Sequence, residues 1–216
     1  MDFYKYKMSR FLKDRVFSPC RGKAEMVVRL AEIMAELCFT PEVNRDPDLV
    51  IAVGKTQRMF VVSTGKIFSV QFPFTVKRAA TRDLPNQFYM LGIEIDNYVL
   101  SRVSAIVYEN FMHMDNDVYS LMESVLTEHS VAPNAGAQTY QEAVWKVLKA
   151  FLMMEDGYLR YDNDPANADP ELHPLNHLDV FYSPECTFKI GLDRTVDNEA
   201  LMDILNPQTK CRSIVV

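Results

Sequence analysis

The chain has 216 residues, of which 48% are hydrophobic and 24% charged, close to average globular usage. This length favours a single domain over residues 1–216, and the composition excludes a disordered chain because a core of useful size can be buried. The net charge of −6 argues against broad contact with nucleic acid or anionic membrane, although a small basic patch stays open.

The location of the protein is predicted from three further absences in the sequence. No stretch approaches the roughly 20 apolar residues of a membrane span. The N-terminal residues carry charge and lack the apolar run of a signal peptide. None of the cysteines has CxxC spacing, which fits a reducing compartment better than a disulfide framework or a zinc ribbon. We therefore expect a cytoplasmic protein without a membrane contact.

The first predicted elements are helices. Residues 3–17 mix aromatic and basic side chains and predict a helix that ends before Pro19. Residues 22–39 predict a second helix, because apolar residues recur at three- and four-residue steps until Pro41.

Three short β-runs follow at residues 49–53, 59–63 and 67–74. In the last run Phe68, Val70, Phe72 and Phe74 alternate with more polar residues, which is typical of a strand with one buried face. Thr64-Gly65 predicts a tight hairpin turn. The segment from about 49 to 74 is thus predicted to be an antiparallel meander.

A central helical block and a second β-region complete the predicted α+β fold. Apolar periodicity predicts helices over 99–111, 117–129 and 139–152. After Gly157, short β-runs predict a second antiparallel meander over about 158–192, packed with the helical block. A helix over 197–205 and an edge strand at 214–216 end the chain. Whether the two meanders share one sheet is left open.

Most familiar motifs are absent. Gly54-Lys55-Thr56 resembles the end of a phosphate-binding loop, but that motif needs a glycine at position 49, where Leu49 stands in a predicted strand. A tight turn is the better interpretation. The sequence contains no GxGxxG, HExxH or GxSxG pattern.

One polar segment suggests chemistry. Two of the four histidines lie four residues apart in a long loop between the predicted strands 158–162 and 178–182, and long loops in compact domains are often functional. Asp164 adds a carboxylate at the start of that loop. If the two strands pair, carboxylates, histidines and an arginine gather at one end of the sheet. The candidate site residues are Arg160, Asp162, His173, His177 and Asp179.

Two kinds of chemistry fit this cluster. Imidazole and carboxylate could hold a divalent metal. Alternatively, histidine could act as acid or base on a phosphodiester without a metal, with Arg160 or Lys189 on the phosphate. Two non-catalytic interpretations stand beside these. Asp and Asn in loops often only satisfy backbone donors, and the loop could also bind a partner. No cofactor is assigned.

The run Arg160-Tyr161-Asp162, followed by His173-Pro174 and His177-Leu178-Asp179-Val180, resembles a short signature of uncharacterised bacterial proteins. Those proteins come from toxin–antitoxin and anti-phage defence loci, and Asp179 stands where their signature more often has histidine. The resemblance covers about residues 158–192. It implies a component of a multi-protein, defence-related system, without an activity to carry over.

Two hypotheses about function follow. The first is a subunit that acts through protein–protein contacts with other subunits, for which the 12 methionines offer adaptable surfaces. The alternative is a metal-dependent or histidine-based enzyme that processes phosphodiesters or nucleotides with the 160–179 cluster.

Overall fold

The computed structural model describes residues 1–20, 22–111, 137–183 and 185–211. Contacts divide the chain into two compact units, each assembled from separate stretches of sequence. The first comprises Met1–Ser18, Val43–Phe72 and Glu155–Val216, and the second comprises Pro19–Glu42 and Pro73–Met154. Helices and antiparallel sheets confirm the α+β class, while the single-domain organisation stays a prediction.

Ten strands and five helices are present in the described residues. The strands in chain order are β1 Asp2–Tyr6, β2 Leu49–Val53, β3 Arg58–Ser63, β4 Lys66–Gln71, β5 Thr75–Lys77, β6 Gln87–Met90, β7 Ile93–Glu94, β8 Tyr158–Asn163, β9 Asn176–Ser183 and β10 Cys186–Leu192. The helices are α1 Arg10–Phe17, α2 Lys23–Leu37, α3 Asn97–Phe111, α4 Ala137–Met153 and α5 Asn198–Ile204.

A seven-stranded antiparallel sheet forms the first unit, in the order β1-β2-β3-β4-β8-β9-β10. Both predicted meanders are confirmed, as β2-β3-β4 and β8-β9-β10. The strand predicted over 67–74 ends at Gln71, shortly before Pro73, so Phe72 and Phe74 lie outside it. Pairing of β4 with β8 joins the two meanders into one sheet, which the sequence left open.

The core of this unit includes a face of the sheet packed against α5. Leu201 of α5 is fully buried against Phe60, Ile67 and Tyr161 of three different strands. Asp197 caps the helix, because its carboxylate accepts the backbone N–H of Ala200 at 2.8 Å. The predicted helix over 197–205 is thus confirmed within a residue or two.

The predicted helix over residues 3–17 is wrong in its first half. Asp2–Tyr6 is a strand paired with β2, and only Arg10–Phe17 is helical. Tyr4 and Tyr6 are buried while Phe3 and Lys5 are exposed, which is a period of two. Pairing along β2 therefore outweighs the local helical tendency, and Ser9 starts the helix by capping the N–H of Leu12.

Two predicted turns are confirmed in the first unit. Gly65 connects β3 and β4 with φ of +69°, a conformation that favours glycine. Residues 54–57 connect β2 and β3, so the Gly54-Lys55-Thr56 run is a turn and not a phosphate-binding loop followed by a helix.

The second unit contains α2, α3 and α4 together with a small sheet in the order β5-β6-β7. The helices predicted over 22–39, 99–111 and 139–152 are confirmed. The small sheet was missed, because its strands are only two to four residues long and carry no clear alternation. The helix predicted over 117–129 and the strand predicted at 214–216 lie outside the described residues.

Across the described ranges, no helix combines the length and apolar character that a membrane crossing requires.

Candidate functional site

Strand register brings the candidate residues together on one face of the seven-stranded sheet. Arg160 of β8 lies directly opposite Asp179 of β9, which in turn lies opposite Lys189 of β10. In the neighbouring row Asp162 lies opposite His177. Residues directly opposite in antiparallel strands share a face, so these side chains form two adjacent polar rows.

Arg160 links the two carboxylates of this cluster. Its Nε donates to Oδ2 of Asp162 at 2.8 Å, and its terminal Nη2 donates to Oδ2 of Asp179 at 2.6 Å. The planar guanidinium suits such a fork. Burial lowers the pKa of Arg160, but the negative charges of Asp162 and Asp179 outweigh it and hold the pKa above its ordinary value.

His177 is fully buried at the centre of the cluster. Its Nδ1 lies 2.7 Å from the carbonyl oxygen of Pro174, and a carbonyl only accepts, so Nδ1 carries a proton. Nε2 then accepts a hydrogen bond from the ammonium of Lys189 at 3.1 Å. The neutral imidazole therefore directs its free electron pair into the cluster.

Lys189 is the most exposed member of the cluster, and it contacts Asp179. Lys189 donates to Oδ1 of Asp179 as well as to His177. Burial raises the pKa of Asp179, but the Lys189 hydrogen bond and the charges of Arg160 and Lys189 outweigh burial, so the pKa lies below its usual value. Asp179 is therefore ionised at neutral pH.

Asp162 is less completely satisfied than Asp179. Its side chain is 5% exposed, and Oδ2 accepts from Arg160. Oδ1 is buried and accepts no hydrogen bond from the described residues, the ammonium of Lys66 being 4.0 Å away. A buried carboxylate oxygen without a donor is costly. Among the described residues at this end of the sheet, Nε2 of His173 is likewise buried without a hydrogen-bond partner.

The loop over residues 164–175 closes over the cluster from one end. The imidazole rings of His173 and His177 meet edge to face at 4.5 Å between centroids. Nε2 of His173 lies 3.3 Å from Oδ2 of Asp164 and thus turns away from the cluster. A Cβ added to Gly191 would lie 3.0 Å from Cγ of Pro174, so the loop packs closely on β10.

The charges of the cluster balance. Two carboxylates face one guanidinium and one ammonium, and His177 is neutral. Arg160 and Lys189 each contact a carboxylate, so neither cation is left for a phosphate. Three ligand-type atoms of Asp162, His177 and Asp179 nevertheless lie within 4.8 Å of one another, which is compatible with one metal ion.

A different feature lies on the outer side of β10, the last strand of the sheet. Phe188 alternates with Lys189 and so points to the face opposite the cluster, where it is 50% exposed. A bulge between β9 and β10 leaves Tyr182 without an opposite residue, and Tyr182 is 71% exposed. In the described part of the chain, β10 pairs only with β9.

The sequence-predicted site is thus brought together in large part. Arg160 contacts both Asp162 and Asp179, and Nε2 of His177 lies 3.8 Å from each of the two carboxylates. His173 reaches the cluster only through its ring. The loop is shorter than predicted, because β9 starts at Asn176 and includes His177. Sequence reasoning gave Lys189 only a phosphate-binding role and missed its contact with His177. The alternation of Thr187, Lys189 and Gly191 in the predicted strand was the available signal.

No protein-family model matches the chain, and neither a curated protein nor a solved structure shows significant similarity to it.

Proposed function

We propose that this protein is a non-catalytic subunit of a multi-protein system and binds another protein through the outer edge of β10. The partner contributes an extended segment that adds to the sheet as an eighth strand. Backbone hydrogen bonds then supply affinity, and apolar side chains of the segment cover Phe188 and Tyr182. The resemblance of residues 158–192 to proteins of defence loci supports membership in such a system.

The observation that carries the proposal is the exposed edge itself. β10 is seven residues long, and its burial pattern is mostly exposed. Exposed strand edges are templates for pairing, and monomeric proteins commonly protect them with outward charges. The one lysine of β10 does not serve this purpose, because Lys189 is held against Asp179 and His177 on one face of the sheet.

The buried cluster, on the face of the sheet opposite Phe188, also supports this proposal. It ties β8, β9 and β10 together through Arg160, Asp179 and Lys189, one residue from each strand. A strand held in this way presents a fixed backbone to a partner, which reduces the entropy that binding costs. In this interpretation the cluster positions the hairpin and performs no reaction.

Site-specific photocrosslinking tests the proposal. Phe188 is replaced by p-benzoyl-phenylalanine in the full chain, and crosslinks are formed in the source cells. The matched control carries the same probe at Thr187, which is also exposed but lies on the face of Lys189. We expect one protein to crosslink from position 188 much more strongly than from 187, and to form a binary complex after separate purification.

Three results would overturn the proposal. Equal crosslinking from both positions would show that the contact does not depend on the face of the sheet that carries Phe188. A crosslink within the same chain would mean that the protein covers its own edge. A crosslink to a second copy would make the edge a homodimer interface instead.

The second candidate function is an enzyme that uses the cluster for phosphodiester or nucleotide chemistry. It is favoured by the convergence of Asp162, His177 and Asp179 within 4.8 Å. The engagement of both cations by carboxylates weighs against it, because a phosphate would have to displace them. Hydrolysis of bis(p-nitrophenyl) phosphate or nucleotides by the purified chain with Mn²⁺ or Zn²⁺, abolished in Asp179→Asn, would support this function over the first.

A further inference from the structure

The spacing of three side-chain atoms in the cluster fits a single metal ion. Nε2 of His177 lies 3.8 Å from Oδ2 of Asp162 and 3.8 Å from Oδ1 of Asp179. Zinc binds nitrogen and carboxylate oxygen at roughly 2.0–2.2 Å, so two ligands of one ion stand roughly 3–4 Å apart. The observed spacing needs little adjustment.

The imidazole of His177 is already in the form that binds a metal. Donation from Nδ1 to the Pro174 carbonyl fixes the ring and leaves Nε2 unprotonated. Histidine ligands commonly donate their second ring N–H to a backbone carbonyl in this way. The ring is fully buried, so its orientation is fixed before any ion arrives.

The ammonium of Lys189 stands where a bound cation would stand. It contacts both Nε2 of His177 and Oδ1 of Asp179, two of the three ligand atoms. Lys189 belongs to the outermost strand and its side chain is 31% exposed, so it can leave the cluster by rotating into solvent.

An independent observation at Asp162 also points to a missing cation. Oδ1 of this side chain is buried and accepts no hydrogen bond from the described residues. Arg160 donates to Oδ2 of both carboxylates, so Asp162 can offer a metal ion either Oδ2, which it would share with Arg160, or its Oδ1 without a donor. Oδ1 of Asp179 has Lys189 as its positive partner, and Oδ1 of Asp162 has only Lys66 at 4.0 Å.

We propose that Asp162, His177 and Asp179 form a divalent-cation site whose place the ammonium of Lys189 fills when no metal is bound. Metal and ammonium exclude each other, so Lys189 sets the affinity of the site. One imidazole and two carboxylates suit Zn²⁺ or Mn²⁺ better than Ca²⁺. This inference does not rest on the partner surface of β10, since the ligands lie on the opposite face from Phe188.

Titration of the chelator-treated full chain with Zn²⁺ tests the inference. The informative variant is Lys189→Met, which removes the ammonium and keeps most of the aliphatic stem. We expect it to bind one equivalent of Zn²⁺ at least about tenfold more tightly than the wild type. The matched control is Lys66→Met, which removes a nearby but more exposed ammonium and is expected to change affinity less than about threefold.

Nitrogen NMR of the imidazoles provides a second readout. It leaves Asp162, His177 and Asp179 intact, so it does not depend on whether a variant that lacks one of these ligands still folds. In Lys189→Met, Zn²⁺ is expected to shift the Nε2 resonance of His177 and to leave Nδ1 in its protonated form. Equal Zn²⁺ affinity in the two lysine variants, or an unshifted His177 Nε2, would overturn the proposal.

Discussion

At the scale of single residues, Arg160 decides whether the cluster can stay buried. Its guanidinium lies between two carboxylates whose side chains are 5% and 17% exposed. Replacing it by methionine leaves two negative charges close together, with Lys189 at Asp179 and only the more distant ammonium of Lys66, 4.0 Å away, at Asp162. Removing one partner from a buried ion pair typically costs about 3–5 kcal/mol. We expect Arg160→Met to lose about that much free energy of unfolding.

Urea denaturation at neutral pH measures the Arg160→Met effect. Lys66→Met is the control, because its ammonium is 41% exposed and lies 4.0 Å from Asp162, so we expect a loss of about 1 kcal/mol or less. A loss below about 1 kcal/mol for Arg160→Met as well would contradict the ion network described above.

Asp179 gives the cluster a pH dependence whose sign follows from its lowered pKa. A carboxylate whose pKa is lowered in the folded state stabilises the fold at pH values above its pKa in the unfolded chain, which is about 3.9. That contribution is lost as the pH falls through the folded value. We therefore expect Asp179→Asn to be less stable than the wild type near pH 7, and the difference to shrink below about pH 4.

Urea midpoints at about pH 7 and pH 3 measure this change for both proteins. The side chain of Asp193 is 91% exposed, so Asp193→Asn should match the wild type at both pH values. A gap between Asp179→Asn and the wild type that stays constant with pH would contradict the assignment.

At the scale of elements, Gly157 determines how closely β8 can start beside β9. A Cβ at this position would lie 1.8 Å from the carbonyl oxygen of Phe181, which is backbone and cannot rotate away. Tyr158 stacks on the ring of Phe181 at 5.1 Å immediately beyond this contact. We expect Gly157→Ala to cost about 3 kcal/mol or more, the upper end of overpacking effects.

Thermal or urea unfolding tests the Gly157 prediction. Gly22→Ala serves as the control, because a Cβ there meets nothing within 4 Å and this N-cap residue of α2 has an extended backbone that any residue adopts. We expect the control to lose less than about 1 kcal/mol. Similar losses in both variants would show that the close approach at Phe181 is relieved at little cost.

Elements with a strong local period were predictable from the sequence, and elements decided by pairing were not. The alternation in β4 and the spacing in α2 identify the strand and the helix correctly, although β4 buries four consecutive residues and is therefore covered on both faces. The sequence predicts a helix at β1 because five residues carry too short a pattern, whereas pairing with β2 determines that they form a strand.

The sequence predicts the cluster only to the extent that alternation along a strand places certain residues on one face. The contact of Lys189 with His177 depends on the register of β10, which no local pattern sets.

At the scale of the whole molecule, the two faces of the β9–β10 hairpin have different consequences. One face holds a balanced group of charges that ties three strands together. The other exposes Phe188 at a strand edge to which no described strand is added. The stability of the fold and the binding of a partner should therefore be separable by mutation. We expect Phe188→Asp to change the free energy of unfolding by less than about 1 kcal/mol, because half of the ring is exposed.

The affinity of the purified protein for its crosslinked partner tests the central claim most directly. Calorimetric titration compares the wild type with Phe188→Asp and with Thr187→Asp, its neighbour on the other face. We expect Phe188→Asp to weaken binding by about 30-fold or more, as for an aromatic residue at the centre of an interface, and Thr187→Asp to change it less than about threefold. Equal affinities for the two variants, with both still folded, would contradict binding through the edge of β10.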